Sequence, residues 1–190
     1  MKENGYSLAE MLVAVGLLLV AAAVAVPALR AYAVEAGILA AGRAFRSEFR
    51  KAHSMAVRGN VQTAIRFEVG PEPTYSVYAD GDGDGVLSAD IRAGVDRRVA
   101  GPIPLTAGAP GVRVGINPGV PAPPPEQGLL DPGDPIRFGL SNMLSFSPFG
   151  TATPGTFYLA GEGVQAAVRV TGGSARVRLL VCRGGRWVER

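Results

Sequence analysis

Asn4-Gly5-Tyr6-Ser7-Leu8-Ala9-Glu10, followed by the uncharged run Met11–Leu29 (MLVAVGLLLVAAAVAVPAL), is the stretch whose reading decides the fold. A bilayer-spanning helix needs ~20 consecutive apolar residues, and this run comes within one residue of that length. A single carboxylate, Glu10, stands at its head. An acid carried into hydrocarbon costs ~3 kcal/mol on insertion scales, so it calls for a partner. A cut after Gly5 would supply one, because it creates an amino group on Tyr6, four residues before Glu10.

Two plainer alternatives stand beside that cut. A secretory signal peptide has a basic start, an apolar stretch of ~7–15 residues and a small-residue cleavage site after it. Ala21-Ala22-Ala23 and Ala25 offer such a site, but Lys2 is offset by Glu3, the apolar run is longer and an acid heads it. An uncleaved anchor fits the length but leaves Glu10 alone. Charge bias around the span, from Arg30, Arg43 and Arg46, favours keeping the following domain in the cytoplasm.

Gly5, an aromatic at Tyr6, Ser7, Leu8, Glu10 and then an apolar helix with Pro27 near its end together resemble the class III leader of type IV pilins and type II secretion pseudopilins. The resemblance implies that a prepilin peptidase of the inner membrane cleaves after Gly5 and that Tyr6 becomes the methylated N-terminus. It also implies that Glu10 pairs with the N-terminal ammonium of a neighbouring subunit during assembly. The domain order it implies is a leader (1–5), a transmembrane and assembly helix (6–29) and a periplasmic domain (30–190). The chain would then cross the inner membrane once, with its C-terminal domain in the periplasm, opposite to the side that charge bias favours.

Beyond Leu29 the helical pattern continues. Ile38, Ala41, Phe45, Phe49, Ala52 and Ala56 recur at three- and four-residue steps and fall on one face, while Arg43, Arg46, Arg50 and Arg58 lie off it. An amphipathic helix over 30–58 is expected, stopped at Gly59-Asn60. From residue 6 to 58 it would reach about 80 Å at 1.5 Å per residue, with a bend at Pro27. A β-domain over 60–190 follows. Val61–Val69 alternates apolar and polar residues as a half-buried strand does, and Thr74–Tyr78 repeats the pattern after Gly70-Pro71. Further strands are expected at 98–100, 112–114, 145–149, 156–159, 167–170 and 176–181. Residues 101–135, rich in proline and glycine, read as a long, poorly ordered loop.

This order of elements narrows the resemblance. The helix end Arg58-Gly59-Asn60-Val61, the Asp/Gly loop, Phe146-Ser147-Pro148-Phe149-Gly150 and the final Thr171-Gly172-Gly173-Ser174-Ala175-Arg176-Val177 are similar to the GspH/FimT minor pseudopilins. That implies an α+β fold, with a long N-terminal helix on a small antiparallel β-domain of two sheets. It also implies a non-enzymatic subunit at the tip of a pseudopilus or pilus, whose partners are other pseudopilins or pilins and the prepilin peptidase.

Three further features bear on function. Asp80-Gly81-Asp82-Gly83-Asp84-Gly85 begins like a calcium loop of the EF-hand type, with oxygens at alternate positions and glycine at the sixth. Asp80, Asp82, Asp84, Ser88 and Asp90 are the candidate ligands, although the twelfth position is Ile91 and no acid closes the loop there. A solvated acidic turn with no ion is the alternative. The C-terminal region carries Arg169, Arg176, Arg178, Arg183, Arg186 and Arg190 around Trp187. Arginines beside an aromatic can grip phosphates and stack on bases, and some FimT-like proteins bind DNA for uptake. Arg183, Arg186 and Arg190 are the residues such a role would use here; an outward strand face is the competing explanation.

Composition bounds the remainder. The formal net charge is +3, but residues 69–135 hold nine acidic against four basic groups, with basic excess on either side. Cys182 is the only cysteine, so no internal disulfide staples the domain, and the apolar residues before it point to a buried structural thiol. His53 is the only histidine, on the border of the helix stripe. No metal-ligand pair, conventional triad or phosphate-cradling loop is indicated, so neither catalysis nor an organic cofactor is expected.

Overall fold

The computed structural model describes residues 7–105 and 111–190; Gly5 and Tyr6, where cleavage is expected, lie outside them. One helix, α1 (Leu8–Gly59), runs through Pro27 without a break and has a length of about 78 Å by its rise. Its sides differ along its length. Leu8–Ala33 are exposed throughout, whereas the stripe Ile38, Phe45, Phe49, Ala52 and Ala56 is buried. Asn60 ends the helix in the left-handed region at φ 48°, its amide donating to the Ala56 carbonyl. Asparagine tolerates that conformation better than most residues, which explains a stop there.

Two antiparallel sheets embrace the C-terminal half of α1. The smaller has the order β3 (Arg97–Pro104), β2 (Thr74–Ala79), β1 (Thr63–Glu68), β6 (Met143–Phe146). The larger runs β10 (Arg186–Glu189), β9 (Arg176–Arg183), β8 (Val164–Thr171), β7 (Gly155–Gly161), β4 (Arg113–Val114), with β5 (Ile136–Arg137) also on β7. A short helix, α2 (Ser88–Ala93), sits between β2 and β3. The α+β class and the long apolar helix on a two-sheet antiparallel domain make a pilin-like architecture.

The core is aromatic where helix and sheets meet. Phe45 stands 4.6 Å from Phe157 between ring centroids, and Phe49 lies within 6.4 Å of Phe45, Phe67, Phe138 and Phe157. Such spacings add edge-to-face attraction to burial. Gly42 is also buried, and a Cβ there would come within 2.6 Å of a Leu179 methyl, so a side chain at this position would have to displace Leu179 where the helix crosses β9. A hydrophobic stripe cannot reveal such a position.

Both sheets are covered on their outer faces too, which alters two of the expectations, and one expected strand ends early. β1 was expected to be half-buried, yet Thr63, Ala64, Ile65 and Phe67 are all buried: Ala64 packs outward with Tyr78, Val86 and Met143 under the Asp/Gly loop and Ile91 of α2. Residues 101–135 are not a loose loop in their described part. Gly101–Pro104 belong to β3, and the later residues cap the large sheet, burying Ile116 and Leu130 against Tyr158, Ala167 and Leu180. The strand expected over 145–149 ends at Phe146, and Phe149 projects from the following turn with 90% of its surface exposed. Pro148 has no amide hydrogen to continue the ladder.

The cap is held by a buried amide. Gln165, 1% exposed, donates to the Gly115 and Leu159 carbonyls at 2.9 and 3.0 Å and accepts from the Asn117 amide at 2.8 Å. Asn117 donates in turn to Gly161 and Val164. Gln165→Leu is expected to strand these groups, costing ~1–3 kcal/mol, and to loosen the cap specifically. Amide exchange faster at 115–130 than in β8 and β9 would show it; uniform exchange would contradict it.

Candidate functional site

The first candidate lies at the exposed tip of α1. Ser7 caps the helix: its hydroxyl accepts from the Ala9 amide at 3.3 Å, and Glu10 Oε2 accepts from the Ser7 amide at 3.1 Å. This reciprocal capping box satisfies amides that the first turn leaves unpaired, and it places a negative charge at the positive end of the helix dipole. Glu10 therefore has a local partner even in a single chain, which sequence reasoning had not supplied. Beside it, Ala9, Glu10, Val13, Ala14 and Leu17 line a shallow, almost wholly apolar concavity. Its apolar lining suits another apolar helix, and its one acid suits a cation.

The Asp/Gly loop is tightly organised. Asp80 accepts from the amides of Asp82 (3.1 Å), Gly83 (2.7 Å) and Gly85 (3.0 Å), while the buried Asp96 accepts from those of Gly81 and Leu87. Oxygens of Asp80, Asp82 and Asp84 lie within 4.8 Å of one another. Ser88 and Asp90 sit on α2, and Asp90 is not part of that convergence. The sixth-position Gly85 has φ 102°, which a side chain would strain. Ile91, at the position where a closing acid would stand, packs into the apolar cluster with Val86. The donors fit a hard cation held by three carboxylates, without the bidentate closure of a tight site.

Asp84's carboxyl is raised above its ordinary range, by loss of solvent first, then by a hydrogen bond and the charge of Asp82, and by the charges of Asp90 and Asp80. A raised folded value means that the folded chain holds this proton more tightly than the unfolded chain does. The associated stability is full below the usual carboxylate range of ~4 and is lost as pH rises through Asp84's folded value. In chelator, Asp84→Asn is therefore expected to raise the melting temperature at neutral pH and to have no such effect at strongly acidic pH. A calcium-dependent rise of the wild-type value, absent from the variant, would make the loop a cation site. A pH-independent difference between the two proteins would contradict the repulsion, and no calcium effect on the wild type would leave the loop an acidic turn.

The basic C-terminal region is largely engaged within the fold. Arg169, with a mostly covered side chain, pairs with Glu126 at 2.6 Å and donates to the Pro124 carbonyl at 2.7 Å. Arg178 donates two hydrogen bonds to Glu189, at 3.0 and 2.5 Å, and Arg176 stands 3.6 Å from the same carboxylate. That pairing draws Glu189 below the ordinary carboxylate range, chiefly through the Arg178 hydrogen bond. Arg183 forms an ion pair with Glu35 of α1. Trp187 donates its indole hydrogen to the Pro121 carbonyl at 2.8 Å and packs partly buried against the cap. The expected nucleic-acid trio is thus divided: Arg183 is paired, while Arg186 and Arg190 have no carboxylate partner among the described residues. Trp187 is a clasp for the cap, not a free stacking platform.

Cys182 is buried, as expected, and burial pushes its thiol above the ordinary value, partly offset by a backbone hydrogen bond from Gly185. The His53 ring lies 5.6 Å from that of Phe146, tilted by 34°, and its buried Nε2 has no hydrogen-bond partner among the described residues. In comparisons with known proteins, the chain matches no family model, no curated protein and no solved structure.

Proposed function

We propose that this chain is a minor pseudopilin of the GspH/FimT type: an assembly subunit of a type II secretion pseudopilus, without enzymatic activity, processed by prepilin peptidase and anchored in the inner membrane with its β-domain in the periplasm. One observation carries this. The helix Leu8–Gly59 is a single rod whose second half is wrapped by two sheets, while its first half presents Leu12, Val13, Leu17, Leu18 and Val20 to no partner among the described residues. An exposed apolar rod of this length needs either lipid or other helices. Lipid serves the subunit before assembly, and sibling helices serve it afterwards.

The acid supplies what apolar packing lacks. Helices in a bundle of small and aliphatic residues slide with little penalty, whereas a buried ammonium and carboxylate satisfy each other at only one axial offset. Cleavage after Gly5 would place that ammonium on Tyr6 of one subunit and leave Glu10 of the next as its counterpart. Gly5→Ala is expected to block processing, so that the membrane fraction holds only the slower-migrating form with its leader; unaltered migration would contradict the cleavage. Nucleic-acid capture through Arg183, Arg186 and Arg190 has weaker support, since Arg183 and Trp187 are engaged internally.

A further inference from the structure

The hairpin end of the β-domain lies where the apolar helix would leave a bilayer. Packing on α1 begins at Val34, directly after the exposed segment Leu8–Ala33. Val34 and Ile38 lie against Gly161 in the β7–β8 hairpin, where an added Cβ would come within 2.8 Å of a Val34 methyl, and Val34 also adjoins Gly111. Glu35 holds Arg183, at the β9–β10 hairpin. Both hairpin turns therefore stand level with residues 34–38. At 1.5 Å per residue this level is about 8–14 Å past Leu29, beginning at the outer edge of a headgroup layer that extends ~5–8 Å beyond the hydrocarbon, within reach of a long arginine side chain.

The residues at this level suit the lipid boundary. Arg30 and Tyr32, the latter 72% exposed, occupy the helical turn between the apolar run and the domain. Tyrosine is enriched at that depth, and arginine can extend its stem along it. Arg183 and Arg186 face each other directly across β9 and β10. Glu35 answers only Arg183; Arg30 and Arg186 have no carboxylate partner among the described residues, and Arg113, in β4 beside Ala160, donates only to the neutral Asn117 side chain. The acids at this end are Glu35 and Glu162, so cationic charge remains in excess.

We infer that Arg30, Arg113 and Arg186 form a seat for anionic lipid headgroups, which holds the β-domain down on the membrane surface while the subunit resides in the bilayer. The inference shares with the proposed function the placement of the apolar helix in a membrane, but neither leader cleavage nor assembly enters it.

The test uses the full chain reconstituted in vesicles of neutral phosphatidylcholine, or of phosphatidylcholine with phosphatidylglycerol, each containing a headgroup-nitroxide lipid. Trp187, the chain's single tryptophan, neighbours Arg186 and reports the approach of the hairpin by its quenching. Quenching is expected to be several-fold greater in the anionic vesicles and to weaken as salt shortens the screening length. Arg30→Gln and Arg186→Gln, which break no ion pair, should each lower the seated-to-lifted ratio about fivefold. Equal quenching in both vesicle types, or quenching unchanged in the double variant, would overturn the seat while leaving the membrane helix standing. Failure of the chain to float with either vesicle would overturn the membrane placement and the seat together. Capture of a DNA duplex by these arginines, with no preference for anionic vesicles, would reassign them to nucleic acid.

Discussion

Glu10→Gln abolishes recruitment of the chain into a multi-subunit fibre while leaving its fold and membrane insertion intact: that is the expected result if charge pairing sets the register between subunits. Glutamine keeps an oxygen that can accept from the Ser7 amide, as Glu10 does at 3.1 Å, so the helix cap survives. Only the charge is lost. Glu10→Val removes both and is expected to be as severe. Ser7→Ala weakens the cap by ~1 kcal/mol and keeps the charge, so it should assemble nearly normally. The comparison separates the cap, which the structure shows, from the pairing proposed for the same carboxylate. Capping is a small local term for a helix of 52 residues, whereas an unpaired ammonium among apolar helices costs several kcal/mol per subunit interface. Normal co-purification of Glu10→Gln with sibling subunits would refute the pairing; loss with Ser7→Ala would assign the effect to the cap.

The second large effect is expected at Phe49→Ala. Phe49 is 1% exposed and is the ring shared by α1, β1, β7 and the segment after β5, through Phe67, Phe157 and Phe138. Truncation removes the ring and leaves a cavity that neighbours on three separate elements cannot jointly close. A loss of ~3–5 kcal/mol is expected, a large part of the ~5–15 kcal/mol that holds an ordinary domain. Denaturant unfolding of the detergent-solubilised chain, followed by near-ultraviolet dichroism of the aromatic core, measures it. A loss below ~1 kcal/mol would mean that helix and sheets are not joined through this ring. The exposed rod should keep its helical signal in either case, since among the described residues nothing covers Leu8–Ala33.

The helix and its buried stripe were legible because large apolar residues at steps of three and four leave a clear pattern, and because Asn60 marks the stop. Gly42 was not legible: a residue buried for its smallness adds nothing to a hydrophobic count. The strands were found where β-branched and aromatic residues alternate, but their burial was misjudged. Ala64 and Ala167, too small to mark a face as buried, lie under the Asp/Gly loop and the proline-rich cap. That cap read as loose chain because prolines spread the apolar positions of Ile116, Val120 and Leu130 off any regular period. Its anchors, Gln165, Trp187 and Arg169, come from distant strands, and no local pattern can announce them. β5 is two residues long and β10 four, too short to show alternation. At the candidate site Glu10 was visible as a lone acid at the head of the apolar run, and the convergence of Asp80, Asp82 and Asp84 followed from alternation in a turn. The pairing of Arg183 with Glu35 spans most of the chain and required the fold.

The measurement closest to the central claim is N-terminal sequencing, with mass determination, of the protein extracted from membranes. A chain that begins at Tyr6, carries a methylated amine and keeps the whole apolar helix is the predicted product. A chain that begins at Met1, or beyond Leu29, would contradict it, because Glu10 would then have no ammonium at the required spacing or would no longer be present at all.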